Sequence, residues 1–166
     1  MRTIVLGLGN ELLSDDAIGI LIARRLRSEL NGIADVFESG LSGLALLESL
    51  LGYDQAIIVD SISTGKDPPG TIIELGPDDL GPVIAPSPHY TGLPEMISIA
   101  RELGLDFPDK ITIFAIQASD LKTIGGSTSP QVFASIEQAV IRIKERVQTW
   151  NLENERISQQ FKGSCR

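Results

Sequence analysis

The sequence carries one cysteine, Cys165, and one histidine, His89, in 166 residues. A single thiol cannot close an internal disulfide, and one Cys with one His cannot build a zinc site of Cys/His type. Positive charge is scarce as well: 14 Lys and Arg stand against 22 Asp and Glu, for a net charge of −8. That balance argues against nucleic acid or an anionic membrane as a main partner, because both recruit basic patches. No apolar run approaches the ~20 residues needed to cross a bilayer. The N-terminal "TIVLGLG" is too short for a secretory signal and reads as a buried strand. The expectation is a cytoplasmic protein with no membrane or nucleic-acid partner. There is no G-x-S-x-G elbow, and Cys165 lies in a polar tail away from any motif, which argues against Ser and Cys nucleophiles.

What is present is 42% hydrophobic residues, enough for one globular core, arranged in two alternating rhythms. Short runs rich in branched side chains, at 3–6, 34–37, 56–59, 71–75 and 110–116, read as strands. Between them, residues 16–30, 44–51 and 93–103 read as helices. Ile18, Ile22, Leu26 and Leu30 set the stripe of the first. Pro130 opens a last helix whose stripe is Val132, Ile136, Val140, Ile143 and Val147. This alternation predicts an α/β three-layer sandwich, with a twisted, mostly parallel sheet of about five strands and helices on both faces. The direction of strand four is left open. Residues 1–150 are expected to form a single domain and 151–166 a polar, flexible tail. No repeat or exposed apolar run suggests assembly, so a monomer is expected.

In such a sheet, ligands bind beyond the carboxyl ends of the strands. Gly7-Leu8-Gly9-Asn10 follows strand one, and Asp15 and Asp16 open the helix beyond it. Glu38 follows strand two, Asp60 follows strand three, and His89 lies in the loop after strand four. Taken singly, each has an ordinary explanation: the glycines a tight turn, the acids a helix start offsetting the macrodipole, His89 a structural histidine. Their convergence on one edge gives the pattern its weight. A dinucleotide site fits poorly, since its third glycine position is Leu12 and two acids crowd the helix start that a pyrophosphate would need. Carboxylates with one imidazole instead suit a divalent ion. The imidazole shifts preference toward first-row transition metals such as nickel and zinc, and so small a donor set leaves coordination positions open.

The segment "GLGNELLSDDAIG" (7–19), followed in order by "IIVDSI" (57–62) and "SPHYTGL" (87–93), resembles the hydrogenase maturation endopeptidases, over residues 1–148. These enzymes trim the C-terminus of the large subunit of nickel–iron hydrogenases. The resemblance implies Asp16, Asp60 and His89 as the metal-binding trio. It implies nickel as the relevant ion, supplied by the substrate, with other divalent transition metals able to occupy the site. The implied partner is the large-subunit precursor, processed after nickel insertion. Asp16, Asp60 and Glu38 are the expected catalytic carboxylates. Two routes to an activated water stay open, a carboxylate general base (an aspartic-type protease) or a metal Lewis acid. A non-catalytic nickel-binding chaperone or docking module using the same trio is the alternative. The chain departs from the family at "ESGLSG" (38–43), where Glu38, Ser39 and Leu41 replace the family's Asp, Gly and Thr.

Overall fold

The computed structural model describes residues 1–79, 89 and 93–163, the last three by their backbone. Five strands form: β1 (Thr3–Leu8), β2 (Asp35–Ser39), β3 (Gln55–Ile62), β4 (Ile72–Leu75) and β5 (Lys110–Gln117). They pair in the order β2-β1-β3-β5-β4, with β4 antiparallel to β5 and every other pairing parallel. β1 and β3 are buried along their whole length, as central strands covered on both faces must be.

Side chains alternate across this sheet into two cores. Ile4, Leu6 and Leu8 of β1 join Ala56, Ile58 and Ile62 of β3 on one face. They pack under α2 (Leu47–Leu50) and α3 (Leu93–Glu102). Val5, Ile57, Val59 and Phe114 face the other way, against α1 (Ile18–Glu29), α4 (Pro130–Ala134) and α5 (Ile136–Gly163). The two stripes read from the sequence, Ile18-Ile22-Leu26-Leu30 and Val132-Ile136-Val140-Ile143-Val147, are all buried in this second core. The expected three-layer α/β architecture is therefore the one observed.

Three boundaries differ from expectation, each for a local reason. β3 runs on through Ile62, so Asp60 lies inside the strand, opposite Ala115 of β5, instead of beyond its end. The helix opened by Pro130 breaks at Ser135 into α4 and α5; the Ser135 hydroxyl donates back to the Val132 carbonyl at 2.7 Å, a competing bond for the backbone. The helix then does not give way to an irregular tail at residue 151. α5 continues to Gly163, because residues 151–162 contain no Pro or Gly and are mostly good helix formers. The Lys110–Glu153 ion pair at 2.7 Å and the Gln55–Asn154 hydrogen bond at 3.3 Å fasten the first part of this extension to the amino ends of β5 and β3.

α1 approaches the sheet unusually closely. A β-carbon at Gly19 would fall 2.2 Å from the Leu8 carbonyl oxygen and 2.4 Å from that of Val59. One at Gly7 would fall 2.2 Å from the Gly19 carbonyl oxygen. The two glycines thus let helix backbone rest on strand backbone across β1 and β3. A Gly19→Ala substitution is expected to cost ~3 kcal/mol or more, since overpacked rigid backbone cannot yield as a side chain can; a urea midpoint lowered at unchanged m-value is the measurement.

Candidate metal centre

The strand order reverses between β1 and β3, the switch point at which an α/β sheet opens a crevice. Here the chain leaves β1 through Gly9, whose φ is +154°. A β-carbon on Gly9 would meet the Asp16 carbonyl oxygen at 2.0 Å. Asn10 then folds the chain back: its side-chain oxygen accepts the Leu12 N–H at 3.0 Å and its carbonyl accepts that of Leu13 at 3.0 Å. This is the Asx-turn chemistry for which Asn is suited. A 3₁₀ turn, Asp15–Ala17, leads into α1.

The two adjacent acids of that turn, both buried, do different things. Asp15 accepts four hydrogen bonds, from the backbone N–H groups of Ser119, Asp120 and Ser129 and from the Ser129 hydroxyl, at 2.6–2.8 Å. It staples the 118–129 segment to the start of α1. Asp16 faces the crevice. Its Oδ1 accepts the Ser61 hydroxyl at 2.9 Å, and its Oδ2 lies 3.4 Å from His89 Nε2. Asp60 Oδ1 accepts the Ser61 N–H at 2.7 Å. His89 Nδ1 lies 3.1 Å from the Leu41 carbonyl, which can only accept, so Nδ1 carries a proton and Nε2 is aimed at Asp16.

Asp16, Asp60 and His89 are all buried and each offers one ligand atom within 4.8 Å of the others. Donors bound tetrahedrally to one transition ion at ~2.0–2.2 Å stand roughly 3.3–3.6 Å apart, so a contraction of about an ångström would close the set on a single ion. A hydrogen bond from Nδ1 to a backbone carbonyl is the usual support of a metal-binding histidine. Asp16 and His89 also line an open cavity of about 560 Å³, together with Gly9, Asn10, Leu12 and Gly40.

Glu38 is not brought to the trio. In β2 it pairs with Gly7 and shares the α1 side of the sheet, whereas Asp60 alternates with Ile58 and Ile62 toward the other core. Its two oxygens are occupied by Arg24 at 3.0 Å and Arg27 at 2.7 Å. Arg24 also grips Glu11 with its two terminal guanidinium nitrogens, at 2.6 and 2.8 Å. Sequence reasoning missed Ser61, whose amide and hydroxyl reach both acids, and the Leu41 carbonyl behind His89. Ser61 follows Asp60 directly in "VDSI", the one hint available. Of the loop expected at 81–92, only His89 is among the described residues, and Cys165 lies outside them.

The trio is electrostatically coupled. The hydrogen bond with Asp16 raises the His89 pKa, burial opposes it, and the Asp60 charge adds to the rise, leaving it at about 9. Burial pushes the Asp16 carboxyl up, but the bonds from His89 and Ser61 outweigh it and hold the group below its ordinary value. Without an ion the centre therefore sets the Asp16 carboxylate against a protonated His89.

The chain matches the hydrogenase maturation protease (HycI) family model over residues 20–146. It is 35% identical over 147 residues to the Hydrogenase 2 maturation protease of Escherichia coli (strain K12), covering 86% of this chain and 88% of that protein. It is 29% identical to the hydrogenase expression/formation protein HupD of Rhodobacter capsulatus, covering 92% and 74%. Among solved structures, the hydrogenase maturating endopeptidase HybD from E. coli aligns with a TM-score of 0.76 at 32% identity, over 90% of this chain and 93% of that one. The [NiFe] hydrogenase maturation protease HybD from Thermococcus kodakarensis aligns at 0.70 and 26%, over 89% and 99%.

Two outcomes follow from the geometry. Asp15→Ala is expected to destabilise the fold by ~3 kcal/mol, because it strands several buried donors at once; chemical denaturation measures it. His89, the only histidine, is expected to titrate near pH 9 in the metal-free protein, read from its ring proton resonances. Its folded pKa lies above the unfolded value, so its stabilising contribution is complete below about pH 6.5 and is lost as pH rises through about 9. In Asp16→Asn the midpoint should fall by at least ~1 unit.

Proposed function

Since this chain belongs to the hydrogenase maturation protease family, a family of hydrolases, we propose that it removes the C-terminal extension of a nickel–iron hydrogenase large-subunit precursor once nickel is in place. One observation carries the reading: two carboxylates and one imidazole converge within 4.8 Å, and two of the three residues, Asp16 and His89, line an open crevice. Nickel is here part of the substrate. The trio offers it two oxygens and His89 Nε2, and three donors leave positions for ligands from the precursor. An ion arriving with its own ligands has only to displace the proton that bridges His89 and Asp16.

Engaging the ion fixes the precursor's C-terminal segment beside the carboxylates, and this positioning lowers the barrier to attack. Water then adds across one peptide bond. A trio carboxylate takes a proton from the water, the hydroxyl oxygen bonds to the carbonyl carbon, and the proton passes to the departing amine. Glu38 takes no part in this step; with Arg24 and Arg27 it braces β2 against α1. The same reading places the protease domain at 1–150, with 151–166 as an appended segment, in a cytoplasmic monomer. No helix among the described residues is long and apolar enough to cross a membrane.

The test is the intact mass of the precursor after incubation with this protein, with nickel loaded and with nickel absent. Loss of a C-terminal peptide from the loaded form alone is expected, and the lost mass gives the cut. An unchanged mass for the loaded precursor, together with nickel bound by this protein, would favour a non-catalytic docking module. Asp16→Asn, Asp60→Asn and His89→Ala are each expected to slow cleavage by ~100-fold or more while keeping a native circular dichroism spectrum. A His89→Ala variant that does not fold would mark His89 as a core residue.

A further inference from the structure

Ser61 is fully buried in β3, opposite Ile116 of β5, and it touches both acids of the trio. Its amide donates to Asp60 Oδ1 at 2.7 Å and its hydroxyl to Asp16 Oδ1 at 2.9 Å. An ionised carboxylate can only accept, so the single hydroxyl proton is committed to Asp16. The terminal torsion of an aspartate is broad and roughly two-fold. Nothing within the side chain therefore decides which oxygen turns to a ligand. In both acids a donor of Ser61 engages one oxygen and leaves the other. With Oδ1 held by the hydroxyl, Asp16 turns Oδ2 toward His89 Nε2, 3.4 Å away. Any residue at position 61 could give the amide; the bond to Asp16 needs a hydroxyl.

The hydroxyl has a consequence for the ion. A carboxylate with both oxygens free can chelate, as it often does with hard cations such as calcium. With Oδ1 engaged by Ser61, Asp16 offers Oδ2 alone. Two one-oxygen carboxylates and one imidazole take three coordination positions, the fewest this trio can take, and the rest stay open to the precursor's own ligands. We propose that Ser61 is a positioning residue of the centre, whose hydroxyl makes Asp16 a one-oxygen ligand aimed at the substrate's nickel. The role rests on the nickel-engaging reading of the trio given above. It adds a fourth residue, which orients a ligand without being one. Partners that hydrogen-bond to metal ligands from behind are typically worth about 10–100-fold in metal affinity.

The experiment titrates nickel ions calorimetrically into the unaltered protein, Ser61→Ala, Ser61→Thr and Ser135→Ala, and measures cleavage of the nickel-loaded precursor by the same four proteins. Alanine at position 61 keeps the amide bond to Asp60 and removes only the hydroxyl. It is expected to weaken nickel binding about tenfold or more and to raise the KM for the loaded precursor by a similar factor. Ser61→Thr restores a hydroxyl and should recover most of the loss. Ser135 is also buried, and its hydroxyl bonds the Val132 carbonyl; Ser135→Ala removes a buried hydrogen bond outside the trio and should keep the affinity of the unaltered protein. Unchanged binding in Ser61→Ala, an equal loss in Ser135→Ala, or a loss that a Ser61→Thr variant with native circular dichroism does not recover overturns the positioning role. An unaltered protein that binds nickel but cuts no precursor overturns the proteolytic reading, and the titration still decides Ser61. One that cuts the precursor without binding free nickel leaves the decision to KM. One that does neither overturns both.

Discussion

The geometry of the centre depends on backbone-to-backbone contact between α1 and the sheet. Gly7 and Gly19 remove the two side chains that would keep helix and strand apart. The helix therefore starts low over the carboxyl ends of β1 and β3, and the turn before it folds into the crevice between them. Any larger residue at these positions would lift α1, and with it Asp15 and Asp16, away from Ser61 and Asp60. In a dinucleotide fold a third glycine near position 12 serves helix–strand approach. Here that work falls to Gly19, seven residues further on, and Leu12 is released to the surface.

Once the turn is in place, its electrostatics close on themselves. Two carboxylates brought together out of water would repel one another and lose solvation. Ser61 answers part of this by giving its amide to Asp60 and its hydroxyl to Asp16, and protonated His89 supplies the compensating charge. The imidazole is oriented by a carbonyl from the far wall, at Leu41. The centre so built offsets part of its charge within the fold and still presents three ligand atoms to a single ion. Polar residues placed in a core only to be satisfied do not normally leave a set of donors converging on an open cavity.

Much of this was legible in the sequence. The branched runs and the two apolar stripes determined the layers, since burial on one or both faces is what such patterns encode. The trio was legible through three ordered segments resembling one family. What could not be read was where side chains point. Glu38 lies at the right edge, but the period of two turns it toward α1 and its arginines, one strand face away from the trio. Ser61 carries no signal of its own, because a serine beside an acid is common. The long α5 was hidden by its polarity: residues past 150 form a helix without a core to bury, a case that apolar periodicity does not detect. The acid pair was legible as a pair and not as two roles.

That division of roles has a geometric cause. In a 3₁₀ turn successive residues point about 120° apart, so adjacent acids cannot serve one site; they must face different neighbours. Asp15 turns inward to the 119–129 segment and is immobilised by four donors. Asp16, one residue on, is thereby held in its own direction without spending any of its oxygens on the backbone of that segment. Fixing a reactive group through its inert neighbour leaves the reactive group's oxygens for the crevice, where Ser61 and His89 are the partners they meet. The direction of Asp16 is in this sense set by a buried carboxylate that lies outside the trio.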